Sequence, residues 1–128
     1  MPIILIETRA GWITEPTAMI AAVHSAVQNA LKLPDWDRTV RLIEHQPDHF
    51  PPPPGRGERF TLVGVTMFGG RSMQAKRTLY AGIVDKLAAI GVPPTDTMIC
   101  LSEVPLENVA AFGARPASEM ELGFEVSV

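Results

Sequence analysis

At 128 residues and 46% hydrophobic content, the chain has room for one domain with a real core, residues 1–128, and not for two. A formal net charge of −3 without any basic block argues against nucleic acid or an anionic membrane surface as a partner. No run reaches membrane-spanning length, and no charged leader precedes an apolar segment at the start. Mean hydropathy of +0.14 is more apolar than one small domain readily hides, which points to an oligomer. Cys100 is the only cysteine, so no intrachain disulfide forms and a cytoplasmic home is the default; its apolar surroundings predict a buried thiol.

The chain opens with Met1-Pro2 and the apolar run Ile3-Ile4-Leu5-Ile6, which predicts a strand over Pro2–Thr8 buried on both faces. Thr14 is placed to cap a helix that starts near Glu15-Pro16. Met19, Ile20, Val23, Val27, Ala30 and Leu31 recur at helical spacing, and Pro34 stops the helix. His24 lies at the edge of that stripe, as a packed or half-exposed side chain. A second strand spans Thr39–Gln46. Pro47 to Arg59, with Pro51 to Pro54 in a row, reads as a stiff extended connection or lid. His45 and His49 flank Pro47 and share no helix face, so they make a poor metal site.

Phe60–Phe68 is a third, strongly apolar strand. Gly69-Gly70-Arg71 turns into a helix capped by Ser72, with Leu79, Ile83, Leu87 and Ile90 buried and Gly91 and Pro93 at its end. Thr97–Ser102 is a fourth strand. Pro105 to Pro116 is turn-like, and Phe124–Val128 alternates as a short closing strand.

The two halves repeat. A constant offset of 59 sets Gly11 on Gly70, Pro34 on Pro93, Asp37 on Asp96, Leu42 on Leu101 and Glu44 on Glu103. The units, about 2–46 and 61–103, are each β-α-β with parallel strands and a right-handed crossover. Together they predict an α/β (α+β) fold, a four-stranded sheet with both helices on one face. The other face stays apolar and needs a cover, most cheaply another subunit.

Chemistry is sought where the repeat loses its symmetry. Arg71 stands where the first unit has Trp12, and Pro2 where the second has Thr61. Were Met1 removed, Pro2 would carry a free secondary amine, whose reference pKa of about 7.7–8.0 falls with burial and with a nearby cation. Arg71 follows a strand, beside two glycines and at a helix start, features that suit a carboxylate. A pseudo-twofold axis between the units would bring Pro2 and Arg71 to one end of the sheet. A proton shuttle for α-keto or enol acids would result.

On Met1-Pro2, Pro34-Asp35-Trp36-Asp37-Arg38, Gly70-Arg71-Ser72 with Lys76, and Pro116-Ala117-Ser118-Glu119 with Leu122-Gly123-Phe124, the chain resembles the tautomerase superfamily. The likeness is to its long branch of fused units, which includes malonate semialdehyde decarboxylases. The resemblance implies a homotrimer without cofactor or metal, in which Pro2 is the catalytic base or acid. It further implies that Arg71 binds the carboxylate of a small substrate and that Asp37 orients or polarises the substrate or a water. The decarboxylases carry a second arginine where this chain has Gly69, and the dehalogenase branch needs an added tyrosine, whereas Tyr80 falls mid-helix. The expectation is therefore a keto–enol tautomerase, with a decarboxylase as runner-up. A non-catalytic ferredoxin-like binding module, with Pro2 chemically idle, fits the same element order.

Overall fold

In the computed structural model, which describes residues 1–128, the elements run β1 (Ile3–Arg9), α1 (Pro16–Leu31), β2 (Val40–His45), β3 (Thr61–Phe68), α2 (Met73–Ala89) and β4 (Thr97–Val104). Short 3-10 turns occupy Pro47–His49, Pro94–Asp96, Leu106–Asn108 and Ala117–Glu119. The sheet order is β2-β1-β3-β4. Each unit supplies a parallel pair, β1 with β2 and β3 with β4, and the units join antiparallel through β1 and β3. No helix is long and apolar enough to cross a membrane.

Strand periodicity sorts the side chains. Ile4, Ile6 and Thr8 of β1 and Thr61, Val63, Val65 and Met67 of β3 are buried against the helices. They meet Met19, Val23, Val27 and Leu31 of α1 and Leu79, Ile83 and Leu87 of α2 in one core. Gly82 lets α2 come close to α1: a Cβ there would lie 3.4 Å from the Cβ of Ala26.

The opposite sheet face is only half covered. Ile3, Leu5 and Leu62 are intermediate in exposure, and Ile43 and Met98 are 42% and 48% exposed. Strand one is therefore buried on one face of this chain, not two. Cys100 belongs to the same open face, opposite Gly64, and is exposed instead of buried. Its apolar neighbours Ile99 and Leu101 point to the helices, and alternation turns the thiol the other way.

Two further expectations are corrected. Thr14 does not cap α1: the N-cap is Glu15, without a side-chain hydrogen bond, because Pro16 opens the helix and leaves Thr14 one residue short. No strand forms over 124–128. The chain end instead lies across the Gly70 turn, where Val128 O accepts from Ser72 Oγ at 2.8 Å. Gly70 has φ +119, and a Cβ on it would sit 3.1 Å from Val126 O, so the close passage of the tail depends on glycine. Ser72 caps α2, accepting from Ala75 N–H at 3.1 Å.

Candidate active site

Antiparallel pairing of β1 with β3 decides the geometry. Ile3 lies opposite Thr66, so Pro2, one residue earlier, lies at the level of Met67, next to the exit of β3. The chain leaves β3 at Phe68 and turns through Gly69-Gly70, which brings Arg71 back over that end: Arg71 Nη1 donates to Phe68 O at 3.1 Å. Asp37 arrives from the connection between α1 and β2, where its N–H closes a turn on Pro34 O at 3.1 Å. Pro2, Asp37 and Arg71 thus converge from three segments, and all three are buried.

Burial makes the unmet hydrogen bonds of this cluster informative. The Nε and Nη2 atoms of Arg71 have no partner, and neither has Oδ2 of Asp37. Nε and Nη2 form the side-on fork of the guanidinium, the edge that grips both oxygens of a carboxylate. Burial lowers the pKa of Arg71, while the charges of Asp37 and then Glu103 push it back up. An arginine stays protonated at neutral pH regardless. A buried cation with its fork free is costly unless an anion completes it.

Met1 is in place and its ammonium pairs with Asp37 Oδ1. While Met1 remains, the nitrogen of Pro2 is an amide and has no basic lone pair. The Met1 side chain, 4% exposed, lies in an apolar cavity with Trp36, Phe68, Met120, Leu122 and Phe124. About 50 Å³ of that cavity stays empty. The Phe124 ring also covers Arg71, 6.0 Å from the guanidinium carbon.

Lys76, on the first turn of α2, turns away from this cluster to bind Glu103. Glu103 has its carboxyl below the usual range, first through the Lys76 hydrogen bond, with the Lys76 charge, the Gly70 N–H and the Arg71 charge adding. At Gly69, where the resemblance has a second arginine, a Cβ would lie 3.3 Å from Glu103 Oε2. An acidic side chain therefore fills the space beside the position that has lost its cation.

His24, expected as a packed or half-exposed side chain at the edge of the α1 stripe, is packed, and it has a partner that the sequence does not name. It is 3% exposed on α1, and its Nε2 lies 3.2 Å from Asp37 O. A carbonyl oxygen only accepts, so Nε2 carries the hydrogen and holds the Asp37 backbone. The repeat contained the signal: position 24 falls on Ile83, so one unit places an imidazole where the other has plain core. His45, by contrast, binds Glu7 at 3.0 Å and stacks on Phe50. No group of three or more His, Cys, Asp and Glu is arranged to hold a metal ion.

The opposite end of the sheet carries the repeat counterparts. Asp96, 5% exposed, accepts from Gly57 N–H at 2.7 Å, and Thr61 Oγ1 donates to Thr8 Oγ1 at 3.2 Å. A larger cavity of about 350 Å³ opens there beside Trp12, Glu15 and Arg59. It has no buried unpaired charge, and Arg59 on its wall already donates to Gly91 O and lies over Trp12, so volume alone does not make it the reactive end.

The "Tautomerase enzyme" family matches residues 37–111, more than half of the chain, and the chain belongs to the tautomerase superfamily. Among solved structures, FG41 malonate semialdehyde decarboxylase inhibited by 3-bromopropiolate is 28% identical, over 88% of this chain and 91% of that one, with a TM-score of 0.79. A symmetric trimer of wild-type fused 4-OT matches over 91% and 96% at 20% identity and a TM-score of 0.80. Pt0534 inactivated by 2-oxo-3-pentynoate matches over 93% and 99% at 20% identity and a TM-score of 0.84. The last two likenesses establish the fold. No curated protein sequence matches the chain.

Proposed function

We propose that the chain is a keto–enol tautomerase acting on a small α-keto or enol carboxylic acid, working in the form that starts at Pro2. The observation that carries this reading is the buried Arg71, with its Nε/Nη2 fork unpaired beside Asp37 and Pro2. In the enol-to-keto direction, Arg71 holds the carboxylate and the neutral Pro2 amine takes the enol O–H proton. The electrons of the broken O–H bond form the C2=O bond, the C2=C3 pair captures a proton from the Pro2 ammonium, and the amine is regenerated. Asp37, an acceptor, orients the C2 oxygen through a water that donates to both.

Decarboxylation of a malonate semialdehyde-type acid is the second reading, favoured by the 28% identity to the FG41 decarboxylase. Gly69 and the neighbouring Glu103 weigh against it, since a second cationic anchor is missing. Release of CO2 from malonate semialdehyde, with no turnover of enol acids, would select that reading.

The working state is a homotrimer, consistent with the half-exposed apolar sheet face and with the fused 4-OT trimer among the structural matches. Light scattering is expected to give three chain masses; a stable monomer of 13.9 kDa refutes this. The chemistry is tested by a pH–rate profile of the Met-free chain. Activity is expected to rise through one ionisation below the free α-amino range of about 7.7–8.0, and Pro2→Ala is expected to lower kcat more than it changes KM. Equal rates for the native chain, Pro2→Ala and a Met-retaining form would remove Pro2 as the base, and no turnover by any of them would leave the non-catalytic binding module.

A further inference from the structure

Any proton that the Pro2 nitrogen moves must pass through the space where Met1 is now attached, so Met1 outlines the volume a substrate would take. The ammonium meets Asp37, and the buried Met1 side chain lines a cavity with Trp36, Phe68, Met120, Leu122 and Phe124. Of the nine other residues around that cavity, eight are hydrophobic, and the ninth is Glu121, an acid. The cations nearby are engaged elsewhere: Lys76 is bound to Glu103, Arg115 beside Phe112 donates to Glu119 O at 2.6 Å, and position 69 is glycine, which leaves the unpaired fork of Arg71.

We propose that the preferred substrate is a monocarboxylic 2-oxo acid, or its enol, with an unbranched apolar tail about as long as a methionine side chain, and that a second carboxylate at the tail end is rejected. The carboxylate takes the free fork of Arg71, C2 and its oxygen lie between Asp37 and Pro2, and the tail replaces the Met1 side chain. A tail carboxylate would lose water against the buried Phe68 and the half-buried Leu122 and Phe124, with no free cation to meet it and Glu121 to repel it. Discrimination thus comes from an unpaired charge and not from shape. This inference rests on the tautomerase reading, in which Arg71 is the carboxylate anchor.

The experiment uses the full chain starting at Pro2 and two probes of equal carbon length, 2-oxohexanoate and 2-oxoadipate. Exchange of the C3 hydrogens for deuterium, followed by NMR, reports enolisation of each. Expected is a kcat/KM at least about tenfold higher for 2-oxohexanoate, since leaving a buried charged group unsatisfied costs that much or more. Leu122→Arg, which adds a cation to the cavity, is expected to narrow or reverse the gap. Equal rates, or a preference for 2-oxoadipate, overturn the inference while leaving the tautomerase reading intact. If neither probe exchanges, the tautomerase reading fails and calorimetry with unreactive hexanoate and adipate decides the specificity alone. Hexanoate binding about tenfold tighter than adipate, and weakened in the Met-retaining chain, supports the inference; equal binding, or none of either, refutes it.

Discussion

Replacing Arg71 by methionine separates a binding role from a structural one. The guanidinium is 6% exposed and uses one donor, Nη1, on Phe68 O at 3.1 Å. Deleting that bond and leaving the carbonyl unpaired costs about 1–3 kcal/mol. Against this, burial costs the Arg71 charge more than the charges of Asp37 and Glu103 return, so taking the charge away offsets part of that loss. The two effects oppose, and the variant is expected to unfold in urea within about 2 kcal/mol of the native chain. Activity has no such compensation. Losing a charge-assisted carboxylate contact costs about 1.5–3 kcal/mol, about tenfold to a hundredfold in kcat/KM. A 2-oxo acid is expected to suffer that loss, while its methyl ester, which brings no charge to Arg71, changes little. Measured side by side, urea midpoints and kcat/KM for acid and ester decide the matter. A stability loss above about 4 kcal/mol, or equal losses on acid and ester, would show that Arg71 serves the fold and not the substrate.

Asp37→Asn is expected to lower kcat with little change in stability, because Asp37 Oδ2 has no partner to lose. Asp96→Ala should do the reverse, since it removes the Oδ1 that accepts the Gly57 N–H at 2.7 Å; equal losses of activity and stability in the pair would make both residues structural. His24→Ile copies the counterpart Ile83 and is expected to fold normally with kcat reduced about tenfold, as Asp37 loosens by the loss of one buried hydrogen bond. Partial recovery of kcat in His24→Gln, at unchanged KM, would mark His24 as a positioning residue, whereas full activity in His24→Ile would dismiss it.

Fold and site were legible to different depths. The repeat offset gave both β-α-β units because burial periodicity and glycine turns are local signals, and they survive in Gly11 and Gly70 or Pro34 and Pro93. The same offset isolated Pro2 and Arg71 as departures from symmetry, and antiparallel pairing of β1 with β3 then brings them to one end. Thr14 was misread because capping depends on where the first helical residue falls, and Pro16 fixed that one residue later. Cys100 was misread because an apolar run hides which face each member takes. Phe124–Val128 alternates like a strand, yet β4 and β2 are the sheet edges and the tail lies on neither. The packing of His24 is legible in the sequence but its hold on Asp37 is not, since its partner is a backbone carbonyl and no side-chain pattern announces that.

The far end of the sheet shows what duplication leaves behind. By symmetry Thr61, Asp96 and Trp12 occupy the places of Pro2, Asp37 and Arg71, but Thr61 is mid-chain and has no terminal nitrogen to offer. That end has become a mooring for the long proline-rich connection between the halves. Gly57 ties to Asp96, Arg56 donates to Thr97 O at 3.4 Å, and Arg59 donates to Gly91 O at 3.1 Å while lying 4.9 Å over Trp12. A Cβ on Gly57 would fall 2.6 Å from Asp96 Oδ2, so the knot closes only around glycine. β2 ends and β3 begins at the same end of the sheet, on either side of β1, so the splice between the two units only has to cross that end, and the counterpart site there supplies its anchorage. The stretch between the moorings and β2, residues 51–55, lies mostly in solvent and has no such ties. It is the place where this lineage can lengthen, shorten or decorate its splice without disturbing either end.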